Sequence, residues 1–100
     1  MHTSPMKLIT IVAEEVLEQH LVRDLDAAGA TGWTITTAHG QGSRGLRAGA
    51  SGGGNIRIEA VVSDEVAESM LERLAEHWFP HYAVVTWVEN VQVVRGEKYR

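Results

Sequence analysis

The sequence predicts an α+β sandwich whose elements follow one another in the order βαββαβ. Two kinds of segment predict it: four short stretches alternate apolar and polar residues, and two longer stretches carry apolar residues at helical spacing. A third observation is the glycine-rich stretch of residues 40–54 between the second and third strands, which predicts a long flexible loop. One hundred residues suffice for one core, so we expect residues 1–100 to form a single domain.

Changes of period delimit the first strand, the first helix and the second strand. Residues 7–13 are mostly β-branched or apolar and predict a strand. A helix follows from Glu14, and Gly29 ends it as a residue suited to the left-handed cap. Residues 32–38 predict the second strand. The buried stripe of the helix is predicted to be Val16, Leu17, Leu21, Leu25 and Ala28, and the strand places Trp33 and Ile35 opposite Thr34 and Thr36.

The second half of the chain repeats this pattern. Residues 56–62 alternate as a strand, and Ser63 is a good N-cap for a second helix that Pro80 prevents from continuing. Residues 83–88 predict a fourth strand, and residues 91–95 could add a short fifth one. The buried stripe of the second helix is predicted to be Val66, Met70, Leu71, Leu74 and Trp78.

This order of elements is that of the ferredoxin-like fold, in which four antiparallel strands carry both helices on one face. The other face of the sheet is then left open. Its side chains include threonine, valine and tryptophan, so we expect it to pack against sister copies of the chain. Trp33, Trp78 and Trp87 are interpreted as core or subunit-interface residues.

Composition excludes several classes of function. The formal net charge of −4 gives no general attraction to nucleic acid or to anionic membranes. The absence of cysteine excludes disulfides, thiolate catalysis and cysteine-based metal sites. No apolar run approaches the ~20 residues of a membrane-spanning helix, so we expect no membrane insertion and a cytoplasmic location.

The strongest chemical signal is the glycine-rich loop. Residues 40–57 carry arginines and no acid, and glycines let backbone N–H groups converge on phosphate oxygens. Arg44 and Arg47 can add bidentate hydrogen bonds, and Ser43 adds a hydroxyl. The same residues would also suit a flexible hairpin loop with solvated arginines. They match neither a Walker A loop nor a dinucleotide-binding fingerprint.

The chain also resembles a known family. Residues 29–36 (Gly-Ala-Thr-Gly-Trp-Thr-Ile-Thr), followed by Gly-Gln-Gly-Ser-Arg at 40–44, are similar to the PII signal-transduction superfamily. The stretches 40–47, 79–83 and 93–99 resemble its PII-like branch linked to inorganic carbon, which includes SbtB-type and carboxysome-associated proteins. The resemblance covers nearly the whole chain.

This resemblance implies a homotrimer that holds an adenine nucleotide in each cleft between neighbouring subunits. Thr34 matches a position near the adenine, and Gly40 and Gly42 match glycines that approach the phosphates. Arg95 falls near a basic position of the C-terminal strand. The implied nucleotide-binding residues are Thr34, Gly40, Gly42, Ser43, Arg44, Arg47 and Arg95, with no catalytic residue and no metal ligand.

Departures from the family narrow the expected ligand. The tyrosine that is uridylylated in PII proteins is absent, and residues 79–85 replace the second nucleotide loop. We therefore expect the bound ligand to be AMP, ADP or cyclic AMP rather than a nucleoside triphosphate together with 2-oxoglutarate. Bicarbonate is a further candidate ligand. The loop would signal to a partner in inorganic-carbon metabolism, such as a bicarbonate transporter. We expect residues 40–47 to become ordered on phosphate binding, while 48–54 stay mobile unless a partner protein binds.

A small enzyme is the alternative. Dimeric α/β-barrel enzymes use the same fold for unrelated chemistry. They need an apolar cavity lined by histidine or tyrosine, whereas the inward positions here are predicted to be valine, leucine, isoleucine and methionine. The chain's histidines at 20, 39, 77 and 81 match no recognised ligand motif, so they predict no metal site.

Overall fold

The computed structural model describes residues 1–40 and 54–100. In this part of the chain four antiparallel strands form one sheet in the order β2-β3-β1-β4. Helices α1 and α2 pack against the same face of the sheet, which confirms the predicted ferredoxin-like α+β sandwich. The elements are β1 (Ser4–Glu14), α1 (Glu18–Ala28), β2 (Thr34–Ala38), β3 (Asn55–Val62), α2 (Asp64–Arg73) and β4 (Val85–Val93).

The hydrophobic core lies between the sheet and the two helices. Ile11 of β1 pairs with Ile58 of β3, so both side chains point to the helical layer. Leu21 and Leu25 of α1 and Met70 of α2 fill the opposite side of this core and are fully buried. The apolar residues that alternate in the strands and those at helical spacing in the helices therefore pack into one cluster, as the sequence predicts.

Both predicted helix ends are confirmed. The Ser63 hydroxyl accepts a hydrogen bond from the backbone N–H of Val66 at 3.2 Å, which caps α2. Gly29 ends α1 at φ 108°, a left-handed conformation that suits glycine. After α2 the chain makes one π-helical turn, Leu74–Trp78, before Pro80.

Two sequence predictions are corrected. Val16 is not buried but 72% exposed, because residues Glu15–Leu17 form a 3₁₀ turn and the α-helix begins only at Glu18. The separate fifth strand at 91–95 is wrong. β4 pairs with β1 without interruption from Val85 opposite Val12 to Val93 opposite Ser4, so residues 91–93 continue the fourth strand.

The indole of Trp78 ties the π-helical turn to α1. Its Nε1 donates a hydrogen bond to Asp24 Oδ2 at 2.7 Å, and Arg73 Nε lies 3.2 Å from the same carboxylate oxygen. Because Trp78 is buried, its N–H depends on this acceptor.

Replacing Asp24 by alanine is expected to lower the free energy of unfolding by about 1–3 kcal/mol, since the indole N–H is left without its acceptor. Urea denaturation measures this loss. Asp26→Ala removes an exposed carboxylate two residues away and is expected to change the free energy of unfolding by less than about 0.5 kcal/mol. Equal effects of the two substitutions would contradict a specific role for the Asp24–Trp78 hydrogen bond.

Most of the predicted long loop lies outside the described residues; only its ends, Gly40 and Gly54, are described. Its predicted ordering on phosphate binding therefore stays a prediction. None of the helices in the described ranges is long and apolar enough to cross a membrane.

Candidate functional site

The structure places three of the seven predicted nucleotide-binding residues: Thr34, Gly40 and Arg95. Gly42, Ser43, Arg44 and Arg47 lie outside the described residues. Thr34 is the first residue of β2, and Gly40 comes two residues after its last, Ala38. A strand rises about 3.3 Å per residue, so Thr34 and Ala38 are about 13 Å apart. Thr34 therefore lies at the start of β2, and Gly40 lies beyond its end.

Thr34 lies in a cleft of about 420 Å³ at the start of β2. The exposed Thr34 pairs with Glu59 of β3, so the two side chains point to the same, helix-free face of the sheet. The lining residues include two aromatic residues, one glutamate and one lysine. The lining residues are Leu8, Thr31, Gly32, Trp33, Thr34, Glu59, Ala60, Val61, Lys98 and Tyr99, and we call this the Thr34 cleft.

The C-terminal turn Gly96–Tyr99 closes one side of the Thr34 cleft. Its position is fixed by a hydrogen bond of 3.1 Å from the Thr31 hydroxyl to the carbonyl oxygen of Lys98. A Cβ at Gly96 would lie 2.6 Å from both Cβ and Oγ of Ser4. Only glycine therefore lets the turn approach β1 this closely.

Arg95 stands at the entry to this turn. Its backbone is left-handed, at φ 64°, a conformation uncommon for a residue with a side chain. Arg95 is exposed and is not among the residues that line the Thr34 cleft. The structure therefore brings Thr34 together with Lys98 and Tyr99 rather than with Arg95.

The carboxylate of Glu59 is held in place from within the sheet. Arg57 Nη2 lies 3.3 Å from Glu59 Oε2, and the guanidinium of Arg57 lies over the ring of Trp87, 5.5 Å from its centroid. The cleft thus offers an oriented acceptor in Glu59 and a donor in Lys98, beside Tyr99. Such a combination suits a flat ligand with both donors and acceptors.

Sequence reasoning missed Thr31, Glu59, Lys98 and Tyr99. Glu59 reads in the sequence as an ordinary polar position of an alternating strand, and only the register with Thr34 brings it to the cleft. Lys98 and Tyr99 belong to the ending that carried the family resemblance, which could have drawn attention to them. Among residues 1–40 and 54–100, no three histidine or acidic side chains are grouped so that they could hold a metal ion.

Comparisons with known proteins agree with this fold. The model of the family "Nitrogen regulatory protein P-II" matches residues 6–98. A protein of Thermus thermophilus described as PII-like signalling is 53% identical, with a TM-score of 0.87 and all of both chains covered. CPII from Thiomonas intermedia, solved with ADP, AMP and acetate, is 29% identical, with a TM-score of 0.88 over 100% of this chain and 99% of CPII.

A second structure of CPII, bound to ADP and bicarbonate, is 31% identical with a TM-score of 0.88, covering 98% of this chain and 97% of CPII. The family match spans nearly the whole chain, and these likenesses extend over the full sandwich that forms the Thr34 cleft. The chain therefore belongs to the nitrogen regulatory protein P-II family, as a PII-like signalling protein.

Proposed function

We propose that this chain binds an adenine nucleotide in a cleft shared by neighbouring copies of a homotrimer. The observation that carries the proposal is the Thr34 cleft at the start of β2, which combines Glu59, Lys98 and Tyr99, whereas Gly40 lies beyond the other end of this strand. Because P-II family proteins are typically trimeric, we place the phosphate side of the site on a neighbouring copy.

In this arrangement the Thr34 cleft of one copy takes the adenine and ribose. Glu59 accepts hydrogen bonds from amino or hydroxyl groups, and Tyr99 offers an aromatic surface. The phosphate side of the neighbouring copy comprises Gly40, Gly42, Ser43, Arg44 and Arg47. We place Arg95 near the phosphates as a further cation, since it is exposed at the entry to the C-terminal turn.

The open face of the sheet supports assembly. It carries Val85 and Trp87 of β4 with 46% and 40% of their surface exposed, beside Val12 and Thr10 of β1 in the same register. Apolar surface of this kind is costly to leave in water in a domain of 100 residues. P-II family proteins are typically trimeric and bind adenine nucleotides, and three copies would cover these faces.

The related CPII structures contain ADP, AMP and bicarbonate or acetate. We therefore propose AMP, ADP or cyclic AMP as the ligand here, with bicarbonate as a second one. The bound state would be passed to a partner in inorganic-carbon metabolism, such as a bicarbonate transporter, through residues 40–54. P-II family proteins are signalling regulators, not enzymes, so the chain is not the small enzyme considered as the alternative. We place the protein in the cytoplasm, where these nucleotides are available.

Calorimetric titration with AMP, ADP and cyclic AMP, each with and without bicarbonate, tests the proposal. We expect one nucleotide per chain and a rise in melting temperature, because a ligand that binds only the folded state stabilises it. Absence of heat and of any thermal shift with all three nucleotides at millimolar concentration would overturn the proposed function.

Gly96→Ala is expected to weaken nucleotide binding by about tenfold or more, since the added Cβ displaces the turn that carries Lys98 and Tyr99. Calorimetry measures the loss. The double variant Ser4→Gly/Gly96→Ala is the matched control, because it removes the Ser4 Cβ and Oγ that the added Cβ would meet, and it is expected to regain most of the affinity. Full affinity of Gly96→Ala would show that the position of the C-terminal turn does not matter for binding.

A further inference from the structure

A second groove, of about 500 Å³, lies on the helical side of the molecule between the start of α1 and the turn after α2. Its residues come from the 3₁₀ turn before α1, from the first turn of α1, from the π-helical turn and from the segment that leads to β4. They are Val16, Leu17, His20, Glu76, His77, Trp78, His81 and Tyr82. We call it the Trp78 groove, and none of its residues lines the Thr34 cleft.

The Trp78 groove is built from three rings that each contact the ring of Trp78. The ring centroid of Trp78 lies 4.9 Å from that of His77, 5.3 Å from Tyr82 and 5.8 Å from His20. The backbone N–H groups of His81 and Tyr82 both donate to the carbonyl oxygen of Trp78, at 3.1 and 2.9 Å. With its indole bonded to Asp24, Trp78 holds these rings in a defined arrangement.

Two features mark the Trp78 groove as a candidate contact surface. Val16 projects an apolar side chain with 72% of its surface in water, and Tyr82 is 43% exposed. Both are among the few large apolar side chains of the described residues that remain so exposed. The adjoining Leu74–Trp78 segment is a π-helical turn, a rare conformation that is found frequently at functional sites.

The charge around the Trp78 groove is negative. Residues 15–28 and 63–79, which form the helical layer, contain nine acids and two arginines. One of those acids, Glu76, lines the groove and is exposed. An electronegative aromatic face beside a carboxylate attracts a cation and repels the phosphates of a nucleotide.

We propose that the Trp78 groove is a docking site for a basic segment of a partner protein, with one arginine or lysine side chain seated between Tyr82 and Glu76. The cation lies over the Tyr82 ring and pairs with the carboxylate, while an apolar residue beside it in the partner covers Val16. A protein segment fits better than a small cation, because only a segment supplies both the charge and the apolar cover.

The location of the groove suits a signalling role. The backbone N–H of Glu15, next to Val16, donates to the carbonyl oxygen of Gly54 at 2.8 Å. The groove therefore adjoins the end of the segment through which we propose that the protein signals. A partner seated in the groove would stand beside Gly54 and lie apart from the Thr34 cleft.

The test is a titration of the full ¹⁵N-labelled protein with the peptide acetyl-Gly-Arg-Leu-Arg-Gly-amide at pH 8 and low salt. The same peptide with citrulline in place of arginine is the neutral control. We expect the arginine peptide to shift the indole N–H signal of Trp78, assigned by its loss in Trp78→Phe, and the citrulline peptide to leave it in place. No shift at several millimolar arginine peptide would overturn the proposal.

Matched variants separate this contact from general attraction to an acidic protein. Glu76→Lys and Glu68→Lys change the net charge equally, and both positions are exposed, but only Glu76 lines the groove. We expect Glu76→Lys to weaken peptide binding by about tenfold and Glu68→Lys to weaken it by less than about twofold. Equal weakening would overturn the proposal. Nucleotide binding by Glu76→Lys should equal that of the parent, so the two sites are tested separately.

Discussion

Replacing Arg44 by alanine is expected to lower nucleotide affinity by about 2–3 kcal/mol, which is about 30- to 150-fold in dissociation constant. A guanidinium can donate two hydrogen bonds to two phosphate oxygens at once, so its loss leaves charged oxygens unpaired in the cleft. Calorimetric titration with the nucleotide that the parent binds most tightly measures the change. Sedimentation should show the same assembly as the parent.

Arg23→Ala is the control for Arg44→Ala. It removes the same charge from an exposed position of α1, remote in sequence from the proposed phosphate side. We expect less than about a twofold change in affinity, because exposed charges at a distance are screened by salt. If Arg44→Ala binds as tightly as the parent, the glycine-rich segment serves only to dock a partner, and its assignment to the phosphates is wrong.

Replacing Trp87 by glutamate is expected to dissociate the assembly into single chains. Trp87 lies on the open face of the sheet, in the edge strand β4 opposite Thr10 of β1, with 40% of its surface exposed. A carboxylate there would have to be buried between copies, at a cost of several kcal/mol. In the single chain it remains in water beside Arg57, so the fold should survive.

Light scattering after size-exclusion chromatography measures this effect as a fall in mass from about three times 11.0 kDa to 11.0 kDa. Nucleotide binding should be lost with it, because each cleft needs two copies. Trp87→Phe keeps an apolar ring at the same position and is expected to keep both the assembly and the binding. A Trp87→Glu protein that still sediments at the parent's mass would show that the open face is not the contact between copies.

The periodicity of the sequence predicts the fold because each element has one buried face. The isoleucines lie at alternate positions of β1, and the leucines of α1 are four residues apart. Both sets are buried when the helix packs on one face of the sheet. The prediction fails at Val16 and at the proposed fifth strand. Helical spacing cannot show where a 3₁₀ turn gives way to an α-helix, and a strand pattern cannot show that β1 is long enough to pair with all of β4.

The candidate site is predictable only in part for a related reason. Thr34 belongs to the short stretch 29–36 that resembles the family, so it could be identified from the sequence. Glu59 reaches the same cleft by strand register, and Lys98 by a turn that depends on close approach of Gly96 to Ser4. Contacts between residues so far apart in the chain leave no periodic signal in a single sequence.

The class of fold and the caps at Ser63 and Gly29 are predictable from the sequence, because each depends on residues that are neighbours along the chain. The tertiary structure decided which side chains share a cleft and which apolar groups stay exposed. It set Glu59 beside Thr34 and gathered the rings of His20, His77 and Tyr82 around Trp78. These contacts depend on strand register and helix packing. Both bring residues distant in the chain together only when the sheet and the helices pack around their common core.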